Sequence, residues 1–256
     1  MPASHVSPDA PTPRNAALDA VLRGIADASV AAARTQPARL LAVSKTRSAD
    51  EIAALAAAWS AQRWPDAPAP AFGENYVQET LAKQPALDAL GLEWHLIGHL
   101  QSNKAKEAAI AYDWVQTVDR QKLIAGLAAN RPADRPPLNL LIQVNIDDET
   151  SKHGCRPEEI DALAAAISAE TRLQLRGLMA IPAPDPDMDR RRAAFRRMFA
   201  LFASLAAQHS SVDTLSMGMS EDYALAIAEG ATMVRVGTAL FGPRPRPTPL
   251  AAEATP

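Results

Sequence analysis

Short apolar or β-branched runs alternate with helix-patterned segments along almost the whole chain, and that rhythm leaves few folds open. The runs cover residues 40–45, 71–75, 93–98, 114–118, 138–146, 175–181, 214–219 and 233–240, eight in all. Each is nearly continuous in its apolar character, as strands buried on both faces of a parallel sheet are. Helix signatures lie between them. Residues 15–34 put Leu18, Val21, Leu22 and Ile25 on one stripe, and Ser48-Ala-Asp-Glu51 has the spacing of a capping box. Residues 189–208 set Phe195, Met198, Phe199, Phe202 and Leu205 on one face. Residues 220–229 predict a further helix closed by Gly230. Eight strand–helix units in roughly 230 residues predict an α/β fold, a single (β/α)8 TIM barrel preceded by an N-terminal helix. An open doubly wound sheet is the alternative, but no G-x-G-x-x-G follows the first run.

Proline marks what is not barrel. Residues 1–13 hold four prolines and residues 243–256 hold five, so both ends read as disordered tails around a domain of residues 14–242. Internal proline clusters at 65–70, 132–137 and 182–186 read as loops. No apolar run approaches the roughly 18 residues needed to cross a bilayer. The first residues lack a basic segment followed by an apolar one, so a soluble cytoplasmic protein is expected. A net charge of −3, a pI near 6.0 and 5% aromatic residues argue against nucleic-acid binding. The one cysteine, Cys155, excludes a disulfide framework and a C-x-x-C site, and reads as a bystander thiol.

In a barrel, chemistry gathers where the strands end. The first run ends in Lys45, on the face it shares with Leu41 and Val43. If that face points inward, burial lowers the lysine's pKa and makes it a Schiff-base nucleophile. A lysine reaching water from a frayed strand end is the plainer reading. The last run puts Met233, Arg235 and Gly237 on one face, and in a closed barrel it pairs with the first. Arg235 and Lys45 then become neighbours, which points to an anionic or electron-rich ligand. Gly237, Thr238 and Ser220 supply amides and hydroxyls where barrels often hold phosphate, although Gly237-Thr238 alone is equally a tight strand exit. Glu221 and Asp222, expected in the first turn of the next helix, would repel a phosphate.

Other features carry less. His95 and His99 have zinc-binding spacing only on a helix, and on a strand they separate, so no metal is expected. Arg190–Arg192 with Arg196 and Arg197 reads as a solvated helix face. Gly237 to Gly242 has Walker spacing but is followed by Pro243, so it is not a P-loop.

The ordered set of motifs is more specific than any one of them. It comprises Leu-Ala-Val-Ser-Lys45-Thr, Phe72-Gly-Glu-Asn-Tyr-Val-Gln-Glu79 and Trp94-His-Leu-Ile-Gly-His-Leu-Gln-Ser-Asn-Lys104. Leu141-Ile-Gln-Val-Asn-Ile146 with Ser151-Lys152, Arg176-Gly-Leu-Met-Ala-Ile-Pro182, Leu215-Ser-Met-Gly-Met-Ser220 and Val236-Gly-Thr238 complete it. Over about residues 40–242 the chain resembles the YggS/PROSC family of pyridoxal phosphate homeostasis proteins, barrels of the alanine racemase N-terminal type. The resemblance implies that pyridoxal 5′-phosphate is the cofactor and that Lys45 forms its Schiff base. It implies that Ser220, Gly237 and Thr238 hold the phosphate and that Arg235 faces the pyridine nitrogen. Asn75, and less directly His95, would line the pocket.

A guanidinium keeps its proton at neutral pH, so the ring nitrogen stays unprotonated and the ring becomes a poor electron sink. Alanine racemases add a second domain and a tyrosine base from the partner subunit. This chain ends soon after its last run, and its only tyrosines are Tyr76, Tyr112 and Tyr223, inside the barrel sequence. The expectation is therefore a protein, monomeric and without catalytic turnover, that carries or buffers the cofactor in intracellular vitamin B6 homeostasis. It would meet pyridoxal phosphate, amino acids and cofactor-dependent apo-enzymes. A weak racemase, or a cofactor-free Schiff-base aldolase using Lys45, is the alternative.

Overall fold

The computed structural model describes residues 13–61, 69–147, 149, 153–183 and 185–243. The expected tails lie outside the described residues except for Pro13, which opens the first helix, and Pro243. So do Ser151-Lys152 and most of the 65–70 proline cluster.

Eight parallel strands close into one barrel: β1 (Arg39–Val43), β2 (Ala71–Glu74), β3 (Glu93–Leu96), β4 (Trp114–Val118), β5 (Leu138–Gln143), β6 (Leu173–Met179), β7 (Thr214–Met219) and β8 (Met233–Val236). Each pairs with the next, and β8 returns to β1 with Arg235 opposite Leu41. The α-helices are α1 (Pro13–Ala31), α2 (Ala49–Ala61), α3 (Val77–Lys83), α4 (Ala105–Ala111), α5 (Gln121–Asn130), α6 (Ile160–Ser168), α7 (Met188–Gln208), α8 (Tyr223–Ala228) and α9 (Thr238–Phe241).

Period-2 alternation sorts the strand residues between two cores. Leu40, Ala42, Val234 and Val236 face outward into the large core beneath the helices, while Leu41, Val43 and Met233 pack together inside the barrel. Helix α1 buries Leu18, Val21 and Ile25 and packs on α2, α8 and α9. The capping box of α2 forms as expected: Glu51 N–H donates to Ser48 Oγ at 3.2 Å, and Ser48 N–H donates to Glu51 Oε2 at 3.0 Å.

Three expectations need correction. Six strands read from apolar runs are too long at their C-terminal ends, while β4 and β7 match theirs: β1 stops at Val43, two residues before Lys45, and β8 stops at Val236. Beyond β8, Gly237 begins the short helix α9, whose Leu240 is buried; an apolar helix start looks like a continuing strand. Secondly, α8 starts at Tyr223, so Glu221 and Asp222 precede the helix instead of occupying its first turn. Thirdly, Phe199 leaves the inner face of α7 and is 45% exposed, its ring lying over Gly230.

Strand β7 carries a register shift between Ser216 and Met219, with Gly218 at φ +90°. A Cβ there would come within 2.5 Å of the Ala226 Cβ, so this bulge requires glycine.

Candidate functional site

Two cavities lie at opposite mouths of the barrel. The larger, about 620 Å3, opens at the N-terminal end among Arg34, Arg39, Arg176 and Asp213. The other, about 350 Å3, opens at the C-terminal end and is lined by Lys45, Ser220, Arg235, Gly237 and Thr238 together with Val43 and Ile181. Barrels build their sites at the C-terminal face from the loops that follow the strands. Five of the six site residues expected from sequence meet in this second cavity.

The turn carrying Lys45 is held from both sides. Ser44 Oγ donates to Glu74 Oε1 at 2.6 Å, and Thr46 N–H donates to Glu79 Oε1 at 2.7 Å. Lys83 Nζ joins the two carboxylates, at 3.0 Å from Glu74 Oε1 and 2.6 Å from Glu79 Oε1, and donates to the Ser44 carbonyl at 3.3 Å. Glu74 is fully buried, and desolvation raises its pKa against the pull of Ser44 and Lys83. Thr46 sits at φ +64°, a left-handed conformation that a β-branched residue rarely adopts. Strain of this kind persists only where surrounding contacts over-determine the backbone, and it gathers at functional sites. Glu74, Glu79 and Lys83 thus position the lysine, roles that strand patterning did not reveal.

Arg235 is 3% exposed. Its Nη1 donates to Ser216 O and Oγ, both at 2.8 Å, and its Nη2 donates to Ala180 O at 2.9 Å. Burial lowers its pKa to about 10, so it stays cationic at neutral pH. Three of its five donors are occupied among the described residues, and the residue lines the cavity.

Behind Arg235 a hydrogen-bonded chain crosses the barrel interior. Ser216 Oγ donates to Gln116 Oε1 at 2.7 Å, and Gln116 Nε2 lies 2.8 Å from His95 Nδ1. His95 Nε2 lies 2.5 Å from Glu93 Oε1, which also pairs with Arg39 at 2.9 Å. An amide N–H facing Nδ1 makes that nitrogen an acceptor, so the imidazole is neutral and carries its proton on Nε2. Complete burial, which lowers the His95 pKa, favours the same form. Burial works to raise the Glu93 pKa, but the hydrogen bond from His95 and the charge of Arg39 outweigh it and hold the carboxyl below its ordinary value. Every donor in the chain points from the Arg235 cation toward the Glu93 carboxylate.

The expected residues separate as follows. Asn75 lines a neighbouring cavity of about 260 Å3 with His99, Gln143, Asn145 and His153, and that cavity shares only Ile181 with the Lys45 cavity. His95 is fully buried beneath the mouth, in the interior chain and stacked on Trp114 at 5.1 Å, so it lines neither cavity at this end. Gly237 does sit at a close approach: a Cβ there would come within 3.3 Å of Val43.

Arg191, read as part of a solvated face, instead lines the Lys45 cavity, 3.9 Å from Asp222. Asp222 also accepts the Met219 N–H at 2.7 Å, and with Glu221 it lines the same cavity as Ser220, Gly237 and Thr238. Its arginine neighbours Arg190, Arg192, Arg196 and Arg197 do pair with acids on the surface. Cys155 is buried and its thiol is pushed up to about 12 by desolvation, an inert group. No tyrosine lines the Lys45 cavity among the described residues. Tyr76 is exposed, Tyr112 is buried against Thr80, and Tyr223 packs against Gly24 of α1.

The structure is a closed parallel barrel with a lysine after β1 and an arginine on β8, and comparison with known proteins gives its family. The family model of the alanine racemase N-terminal domain matches residues 18–245. A curated pyridoxal phosphate homeostasis protein of Escherichia coli K12 is 50% identical over 208 residues, covering 80% of this chain and 85% of its own. Its namesake from Pseudomonas aeruginosa is 49% identical over 205 residues, covering 80% and 84%. The solved structure of PipY from Synechococcus elongatus PCC7942, with pyridoxal phosphate bound, superposes with a TM-score of 0.73 at 34% identity, covering 90% of this chain and 100% of that one. The chain belongs to the alanine racemase N-terminal-domain family and, within it, to the pyridoxal phosphate homeostasis proteins.

Proposed function

We propose that this protein binds pyridoxal 5′-phosphate in the Lys45 cavity and carries or buffers it for other proteins without turning over a substrate. The observation that carries this reading is the convergence of Lys45, Arg235, Ser220, Gly237 and Thr238 on one cavity of about 350 Å3. The residues fit the group: the volume lies within the range of small-ligand sites. A lysine, a buried arginine and the hydroxyl-bearing Ser220 and Thr238 line it together.

Bound pyridoxal phosphate supplies an aldehyde that an amine captures and a ring that withdraws electrons. Lys45 provides the amine, on a turn fixed by Glu74, Glu79 and Lys83. Ser220, Gly237 and Thr238 would hold the phosphate, with Arg191, 3.9 Å from Asp222, offsetting that carboxylate in the same cavity. Arg235 would face the ring nitrogen as a donor that keeps its proton, leaving the ring a weak electron sink. We further infer a single barrel domain over residues 14–242, working as a monomer in the cytoplasm, with amino acids and cofactor-dependent apo-enzymes as its contacts.

Mixing the cofactor-loaded protein with an apo-enzyme tests the carrier reading. Activity of the apo-enzyme should return faster than free cofactor released from the protein can explain. No recovery over hours, or sustained racemisation of an amino acid by the protein alone, contradicts it.

A further inference from the structure

The loops after β3, β4 and β5, three consecutive strands of the barrel, bring His99, Asp119 and His153 together at the C-terminal mouth. One ligand atom from each lies within 4.8 Å of the others. We propose that these three residues bind a divalent transition-metal ion, Zn2+ foremost, beside the Lys45 cavity.

The donor set is two imidazoles and one carboxylate, the composition of three-ligand zinc sites that keep a position open. His99 Nδ1 lies 4.0 Å from Asp119 Oδ2, and the two imidazole rings stack with centroids 3.7 Å apart. Closing on an ion at the usual zinc distances requires shifts of about an ångström and a rotation that splays the rings. Both histidines are exposed enough to turn, while the backbone beneath them is held. Thr117 Oγ1 donates to the Gly98 carbonyl at 2.8 Å, tying the end of β4 to the His99 loop. Gln143 Nε2 donates to the His153 carbonyl at 3.1 Å.

Asp119 is mostly buried, with Oδ1 bound by Arg120 at 2.5 Å and Oδ2 left toward His99. Arg120 is itself anchored, donating to Leu100 O at 3.0 Å and Ser102 Oγ at 3.3 Å. A second-shell donor on one carboxylate oxygen, with the other directed at the ion, is the arrangement that orients metal-binding carboxylates. A metal ion takes imidazole in its neutral form.

The cluster borders the cavity lined by Asn75, Gln143 and Asn145, which meets the Lys45 cavity at Ile181. An ion at this place offers its open position to a carboxylate-bearing molecule entering that cavity. The site depends on none of the residues proposed to hold pyridoxal phosphate, so it stands or falls separately.

The test is a calorimetric titration of the full-length protein with Zn2+ alone at neutral pH, with and without pyridoxal phosphate. The expected result is one Zn2+ per chain in both states, weakened at least about tenfold by His99→Ala and by His153→Ala. His209→Ala, whose ring lies against Ser168, should leave it unchanged. Far-ultraviolet circular dichroism of the variants should match the parent, since both substituted rings are exposed. No saturable binding at one per chain overturns the site. So does binding that persists at full strength in His153→Ala, which would assign the ion to other groups.

Discussion

Thr46 shows most directly what the sequence concealed at the scale of one residue. Alternation along β1 correctly placed Leu41 and Val43 inside, and it placed Lys45 at the mouth. It could not show that the strand ends at Val43 and that the next turn passes through a left-handed threonine, because propensity rules steer β-branched residues away from that region. The conformation costs about 1–2 kcal/mol relative to one that glycine adopts freely, less the extra entropy glycine loses on folding. Thr46→Gly should therefore raise stability by about 1 kcal/mol in urea titration, provided the Glu79 contact to its N–H is kept. A destabilised Thr46→Gly would mean that the threonine side chain contributes more than the strain removes. Arg235 was legible for a different reason: a cation flanked by two valines in a core run demands buried acceptors, and Ser216 and Ala180 supply them.

Elements hold the site through two polar networks, neither of which shows in any single run. Glu74, Glu79 and Lys83 join β2 and α3 to the Lys45 turn, and Lys83→Met would leave Glu74 buried without its cation. That change should cost about 3–5 kcal/mol by chemical denaturation, the usual penalty for stranding one member of a buried pair. The second network runs from Arg235 through Ser216, Gln116 and His95 to Glu93, with its members on β8, β7, β4 and β3. The five members are spread over four strands, two of them on β3, and only barrel closure aligns them. Gln116→Leu should destabilise the fold by about 2 kcal/mol, since the His95 Nδ1 acceptor loses its donor in a dry interior. It should also weaken cofactor retention by releasing Arg235 from its brace, read as faster cofactor loss on dialysis. Unchanged stability would show that the chain is not continuous. The strand ends and Phe199 were misread because apolar residues also line loops, helix starts and glycine-facing ridges.

For the whole molecule, the eight-fold rhythm was legible because each buried parallel strand leaves its own apolar run, and the closed barrel needs no further information. The division of the C-terminal mouth into two cavities was not legible, because it depends on which loop residues meet across the barrel. Asn75 therefore fell on the far side of Ile181 from Lys45.

Acid stability is also a property of the assembled barrel. Glu93 is held below its ordinary value of 4.5 in the folded chain, so its contribution is complete above pH 4.5 and lost as pH falls through that lowered value. Denaturation across that window should show a stability decline that is shallower in Glu93→Gln. Parallel curves for the two proteins would remove Glu93 from the account.

The central claim is that Lys45 bonds pyridoxal phosphate, and the absorption spectrum of the purified protein tests it most directly. Loading with the cofactor should give the visible band of a lysine-bound pyridoxal group, and Lys45→Ala should abolish it while the far-ultraviolet spectrum stays unchanged. A parent protein that stays colourless with added cofactor, or a Lys45→Ala variant that keeps the band, would contradict it.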